Sequence, residues 1–246
     1  SRYNAPFKEQ NVVIADRSEH VKDYDKKIID SKHIVIVGGG PVGVELAAEI
    51  ITRHKNKKIS LVHSHDRLLQ RQNNKAIEYA TKFLKERGVN IILDEEVTNY
   101  KRGIIITNKK NKINADLVFL CTGITPNSSF IDKENLDEKG FIKVNDYLQV
   151  DEFKNIFAAG DITNIKEEKL AQNAEEQAKI VIKNILALEQ NKPLTEYKLE
   201  PRIMVISLGK WNGLLTKKNF SLHGVIPGIL KHLIEKKIMF NYRKSF

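Results

Sequence analysis

Gly38, Gly40 and Gly43 stand in G-x-G-x-x-G spacing, directly after the β-branched run 34–37 and directly before VELAAEII, which continues at helical spacing. That order suits a phosphate cradle. The first glycine permits a tight turn, the second lets backbone approach a pyrophosphate, and the third allows close helix–strand packing. The helix N-terminus then faces the phosphates with its partial positive charge. Gly39, Pro41 and Val42 complete the loop. The spacing alone is common, and its place between a strand and a helix makes it a candidate dinucleotide site. A carboxylate for the ribose 2′-hydroxyl is expected about twenty residues on. The second strand ends instead in Val62-His63-Ser64, with Arg67 beyond, so the choice between NAD and NADP stays open.

Two later stretches add groups of the same chemical kind. ADLVFLCTGITPNSSF (115–130) predicts a strand before Thr122-Gly123, and VNDYLQVDEFKNIFAAGDIT (144–163) predicts another before Gly160-Asp161. Gly160 would let backbone come close to a ligand, and Asp161 could accept hydrogen bonds from a sugar or ribityl hydroxyl.

The elements that must position these groups are legible in outline. Strands are expected at 34–37, 58–63 and 89–93, with a helix at 74–88 stopped by Gly88. Turn signals at Arg102-Gly103 and 108–111 predict a small antiparallel meander. Strand and helix in alternation describe an α/β, Rossmann-like nucleotide-binding domain. A later helix from Lys169 places apolar residues at 171, 174, 178, 181 and 185, a stripe suited to packing on a sheet.

In their order the three motifs resemble the FAD/NAD(P)-binding flavoproteins with two dinucleotide-binding domains, the pyridine-nucleotide oxidoreductases. The segments 164–185, 206–215 and 224–240 resemble their apoptosis-inducing-factor-like group, with the ferroptosis-suppressor quinone reductases most similar. The resemblance implies FAD and NAD(P)H as cofactors, a quinone-type acceptor, Thr122-Gly123 closing the nicotinamide domain, and Asp161 on FAD. It also implies a glutamate, Glu45, beside nicotinamide and flavin, approached by a lysine from the C-terminal segment. By spacing from GVIPG that lysine is Lys236, with Lys237 the alternative; a solvated surface lysine is the competing reading. Lys169, near a helix N-terminus that would face the flavin, is a further candidate, against an ordinary exposed lysine. The segment 1–12 resembles the chain just after a first Thr-Gly element, so the sequence is expected to lack the N-terminal FAD-binding half. The expected organisation is an FAD-domain remnant and linker at 1–30, an NAD(P) domain at 31–125, a returning FAD segment at 126–192 and a C-terminal segment at 193–246.

Composition narrows the alternatives. The single cysteine, Cys121, excludes a disulfide framework or CxxC redox pair within these residues, and the scattered histidines, His223 and His232 among them, form no metal-ligand pattern. A reducing compartment is the expected setting: cytoplasm, with peripheral membrane contact, or the mitochondrion as alternative. The net charge of +10 is spread over lysines often set beside asparagine, which reads as a solvated surface ahead of a nucleic-acid patch. Ile226, Ile229, Leu230, Leu233 and Ile234 share a helical face flanked by Lys231, His232, Lys236 and Lys237. Such a basic amphipathic helix could cover the flavin, touch anionic lipid, or do both. A signalling protein that binds nucleic acid or a partner, and a non-functional fragment, are the alternatives to the enzyme; the oligomeric state is open.

Overall fold

The computed structural model describes residues 2–3 and 14–244, with side chains from 21 to 240, so the resemblance noted in 1–12 lies almost wholly outside the described residues. Along the chain come β1 (Arg2–Tyr3), α1 (Ile14–Asp30), β2 (His33–Val37), α2 (Pro41–Arg53), β3 (Lys58–Val62) and α3 (Asn74–Lys85). Then follow β4 (Asn90–Ile92), β5 (Val97–Lys101), β6 (Ile104–Thr107), β7 (Lys112–Asn114), β8 (Leu117–Leu120) and β9 (Ile124–Thr125). The last part holds α4 (Ala171–Glu189), β10 (Met204–Ser207), β11 (Gly213–Lys217), β12 (Phe220–Gly224) and α5 (Val225–Lys244). The chain divides into two compact units: one of residues 124–202 with the strand at 2–3, and one of 14–123 with 203–244.

The larger unit is built on a parallel sheet in the order β4-β3-β2-β8. Its central strands are buried on both faces, as in a sheet covered on both sides. Asn73 caps α3 by accepting the Ala76 N–H at 3.1 Å, and Ala76, Ile77, Ala80, Phe83 and Leu84 form its buried stripe. The expected meander is present as β5-β6-β7, with Arg102 and Gly103 both at positive φ in its first turn. It packs on the parallel sheet through Ile105, Ala115, Val35, Val37 and Val62.

The C-terminal segment differs from expectation. Residues 203–244 form an antiparallel sheet, β10-β11-β12, followed by α5, and this sheet packs against α2 and α3. The expected boundary at 193 therefore falls at 203, and α1 is grouped with the larger unit rather than with an FAD remnant. The hairpins went unpredicted because β10 and β11 are short and flanked by glycine, which mutes a period-two pattern.

In the smaller unit, β1 and β9 pair antiparallel, and residues 136–163 are joined by isolated bridges. The strand expected before Gly160 is reduced to a bridge between Gln149 and Phe157. A regular strand needs a partner along its length, and none of the described residues supplies a parallel one. The predicted stripe on α4 is also not buried. Asn173, Gln177 and Asn184 are the residues α4 buries, whereas Ala171, Ala178 and Ile185 of the stripe stay exposed.

Candidate functional site

β2 runs straight into the glycine loop, and backbone contacts hold that loop. Gly38 N–H donates to Val62 O at 2.8 Å, and Cys121 N–H donates to Val37 O at 2.7 Å. At Gly38, with φ +112°, a Cβ would lie 2.2 Å from the Cys121 carbonyl oxygen; at Gly43 it would lie 1.8 Å from the Gly38 carbonyl oxygen. Both positions exclude any side chain. Gly40 is different: its φ is −74° and an added Cβ would meet nothing within 4 Å. The fold itself therefore does not demand glycine there. The space before Gly40 adjoins the first turn of α2, which has Pro41 at its start and no side-chain cap. Open space at the second glycine, beside uncapped N–H groups, fits a pyrophosphate.

Gly39 is tied to β3 and the segment after it. Its N–H donates to His63 Nδ1 at 3.1 Å, and its carbonyl accepts from Leu69 N–H at 2.9 Å. With Nδ1 accepting, the proton of the neutral ring is assigned to Nε2, which is buried with no partner among the described residues. Burial, and then the neighbouring His65, hold the His63 pKa below the usual imidazole value against the opposing pull of Asp66. His63 thus braces the loop as a neutral ring.

Glu45, on α2 just beyond the loop, is a point of convergence. Its Oε1 accepts from Ser207 N–H at 2.8 Å and from Lys231 Nζ at 2.9 Å, and Lys231 also donates to Val205 O at 3.2 Å. One turn along, Glu49 accepts from the Ser207 hydroxyl at 2.7 Å. The lysine that meets Glu45 is Lys231 rather than Lys236; Lys236 and Lys237 are exposed. The reason is backbone contact. A Cβ on Gly228 would sit 2.8 Å from Asn212 N, and one on Gly213 would sit 2.8 Å from Gly228 N. These glycines press the start of α5 onto β11 and fix which face looks at α2. Lys236, five residues after Lys231, is turned about 140° around the helix. Thr122 and Gly123 follow β8 and are exposed, with Gly123 at φ +97°. Burial pushes the Cys121 thiol up to about 12, which removes it as a nucleophile.

Gly160 and Asp161 lie in the smaller unit, on a single 3-10 turn (Gly160–Ile162) with Gly160 at φ +83°. Side chains hold this turn. Gly160 N–H donates to Gln177 Oε1 at 2.6 Å, Gln177 Nε2 donates to Glu167 Oε1 at 2.6 Å, and the Tyr197 hydroxyl donates to the same carboxylate at 2.9 Å. Thr163 Oγ1 donates to Gly160 O at 3.0 Å. Lys169, the second candidate lysine, donates to the carbonyls of Thr163 at 2.6 Å and Ile165 at 3.1 Å. Its ammonium thereby braces the turn. The carboxylate of Asp161 makes no hydrogen bond to the described residues. Ser207, Lys231 and Gln177 were missed from sequence; an amide inside an alanine-rich helix start was the one available signal, at Gln177.

Residues 3–178 match the profile of the pyridine nucleotide-disulphide oxidoreductase family. The chain is 34% identical over 229 residues to ferroptosis suppressor protein 1 of Taeniopygia guttata, covering 86% of this chain and 61% of that protein. It is 34% identical over 206 residues to the Homo sapiens protein of that name, covering 78% and 55%. Apoptosis-inducing factor homolog A of Dictyostelium discoideum is 34% identical over 260 residues, covering 92% and 64%. The chain thus spans less than two thirds of these relatives. Among solved structures, a water-forming NADH oxidase from Lactobacillus brevis superposes with a TM-score of 0.64 at 24% identity, covering 81% of this chain and 45% of that one. A ferredoxin reductase from Rhodopseudomonas palustris superposes at 0.61 with 18% identity, covering 89% and 62%. At these identities the likeness is one of fold.

Proposed function

This chain belongs to the pyridine nucleotide-disulphide oxidoreductase family, and on that premise we propose that it carries the NAD(P)H site and one FAD-binding turn of an NAD(P)H oxidoreductase that delivers electrons to a quinone-type acceptor. The observation that carries the reading is Gly40, the one motif glycine whose missing side chain the protein does not itself fill. Gly38 to Gly43 would hold the pyrophosphate, Thr122 and Gly123 would border the nicotinamide, and Asp161 would take a hydroxyl of FAD. When bound, the nicotinamide supplies a hydride and the flavin accepts it and passes electrons on. The protein aligns the two. Glu45 and Lys231 would set a charge pair beside the nicotinamide, and Lys231 is the group able to give a proton to a reducing acceptor. The quinone follows from the likeness to the quinone-reducing group. No described helix is long and apolar enough to cross a membrane. From His232 to Phe240 α5 is exposed, with Leu233, Ile234, Ile238 and Met239 beside Lys236 and Lys237, which supports peripheral contact with a membrane holding such an acceptor.

The test uses a protein in which this chain is joined to an FAD-binding half and loaded with FAD. NAD(P)H-dependent reduction of a short-chain quinone is expected, with Glu45→Ala and Lys231→Ala each losing most of the rate and the double variant losing little more. Flavin reduction by NAD(P)H with no transfer to any quinone would confine the reading to the first half-reaction.

A further inference from the structure

β10 is the end strand of its sheet and pairs with β11 on one side only. In an antiparallel strand every other residue turns its N–H and carbonyl away from the partner. Two such groups on the open edge of β10 are taken by side chains. The Ser207 N–H donates to Glu45 Oε1 at 2.8 Å, and the Val205 carbonyl accepts from Lys231 Nζ at 3.2 Å. The ion pair thus sits where the carbonyl and amide of a further strand would sit. We propose that Ser207 is the positioning residue of this pair: its hydroxyl, bound to Glu49, clamps the end of β10 to α2 and so fixes where Glu45 and Lys231 meet. The inference rests on the role given to that pair above and deepens it.

The pair does not fix its own position. Both side chains are long, and they are 29% and 27% exposed. An ion pair of that kind gives up side-chain entropy to hold one geometry and is weak by itself. The strand edge supplies the fixed points, so the question becomes what holds the edge against α2. Among the described residues, the hydrogen bonds between α2 and β10 are both made by Ser207. Its N–H goes to Glu45, and its hydroxyl donates to Glu49 Oε1 at 2.7 Å. Glu45 and Glu49 stand one turn apart on the same face of α2. Two bonds from one residue therefore set both the distance and the register of the strand along the helix.

The neighbours of Glu49 suit this role. Arg53 lies 3.4 Å from its Oε2, which leaves Oε1 to the hydroxyl. Past the strand end, a Cβ on Gly209 would lie 2.6 Å from Thr52 Oγ1, so the turn after β10 rests on the same face of α2. That contact limits how closely the turn approaches but gives it no direction; the hydroxyl bond gives direction. Without the hydroxyl, the β10–β11 hairpin is free to slide along α2. Glu45 then loses its fixed donor, and Lys231, tied to the Val205 carbonyl, moves with the strand. The glycine loop makes no hydrogen bond to Ser207 among the described residues, so the loss falls on the rate and not on cofactor binding.

The first arm of the experiment is hydrogen exchange by NMR on the 246-residue chain. In Ser207→Ala and in Glu49→Leu the N–H at residue 207 is expected to exchange at least about tenfold faster, the scale of a lost bond to a charged acceptor. The Leu208 N–H, bonded to Asn212 O at 2.8 Å within the hairpin, should keep its protection. Ser207→Thr retains the donor and Glu49→Gln an acceptor, so each should keep most of the protection at 207. The second arm uses the chain joined to an FAD-binding half and loaded with FAD. There Ser207→Ala should lower kcat for quinone reduction roughly five- to tenfold, leave KM for NAD(P)H unchanged, and add little to Lys231→Ala. Unchanged protection at 207, or a Ser207→Thr protein as impaired as Ser207→Ala, overturns the clamp. Lost protection with full kcat, where Lys231→Ala is slow, overturns the positioning role and leaves the charge pair standing. A Lys231→Ala protein at full rate overturns the charge-pair reading and the positioning role with it.

Discussion

The two glycine turns of this protein are secured by opposite means. Around Gly38 to Gly43 the backbone packs on backbone, and side chains are shut out at Gly38 and Gly43 by contacts of 2.2 and 1.8 Å. Around Gly160 the nearest atom to an added Cβ is 3.5 Å away, and the turn is instead strung on Gln177, Thr163 and Lys169. The first turn sits in a parallel sheet with a saturated apolar core, so its geometry comes from packing. The second sits on bridges and on a helix that buries amides, so its geometry comes from hydrogen bonds. Packed backbone leaves no space for an added atom, whereas the bonded turn has the space, is strained only through its positive φ, and fails when a polar partner is lost.

The largest effect should come from the packed turn. Gly43→Val forces backbone apart and is expected to cost about 3 kcal/mol or more, leaving little folded protein by circular dichroism; a normal melt would refute the packing account. Gly160→Ala should cost about 1–2 kcal/mol, from its positive φ alone. Of comparable size, Gln177→Ala orphans the Gly160 N–H and takes one donor from the Glu167 carboxylate, which keeps the Tyr197 hydroxyl, and should cost about 1–3 kcal/mol. Hydrogen exchange should show the loss centred on residues 160–169. Lys231→Ala should loosen the C-terminal sheet and α5 by roughly 1 kcal/mol, while Lys236→Ala changes nothing measurable. Equal effects of the two would return Lys236 to the pairing. The smallest effect is on pH. His63 and His33 have folded pKa values below their ordinary 6.5, burial being the first cause for both. A histidine depressed by folding favours the native state above that value and opposes it as pH falls through 6.5. Stability should therefore decline from pH 7 to 5, and His63→Asn should flatten part of the slope in a denaturant series.

Much of the larger unit was legible because its rules are local. The β-branched run, the glycine spacing, the caps of α3 and the Arg102-Gly103 turn each act within a few residues. What stayed hidden depends on distant partners. The strand expected before Gly160 needs a neighbouring strand that the described residues do not provide. The stripe on α4 reads as buried from its spacing, yet its amides are the residues that find partners. Spacing from GVIPG points to Lys236, but spacing carries no trace of Gly228 resting on the chain at Asn212 and Gly213, which turns Lys231 toward Glu45. Ser207, a polar residue ending a short strand, gave no signal for its bonds to Glu45 and Glu49.

The central claim is that the open space at Gly40 is where a nicotinamide dinucleotide lays its pyrophosphate. The direct measurement is titration of NADPH and NADH into the chain and into Gly40→Val, with melting curves of both. An added Cβ meets nothing within 4 Å there and φ is already −74°, so the melt should be little changed while binding falls by at least about a hundredfold, the scale of a blocked contact with charged phosphate. Undiminished affinity in folded Gly40→Val would contradict the account and move the cofactor off the glycine loop.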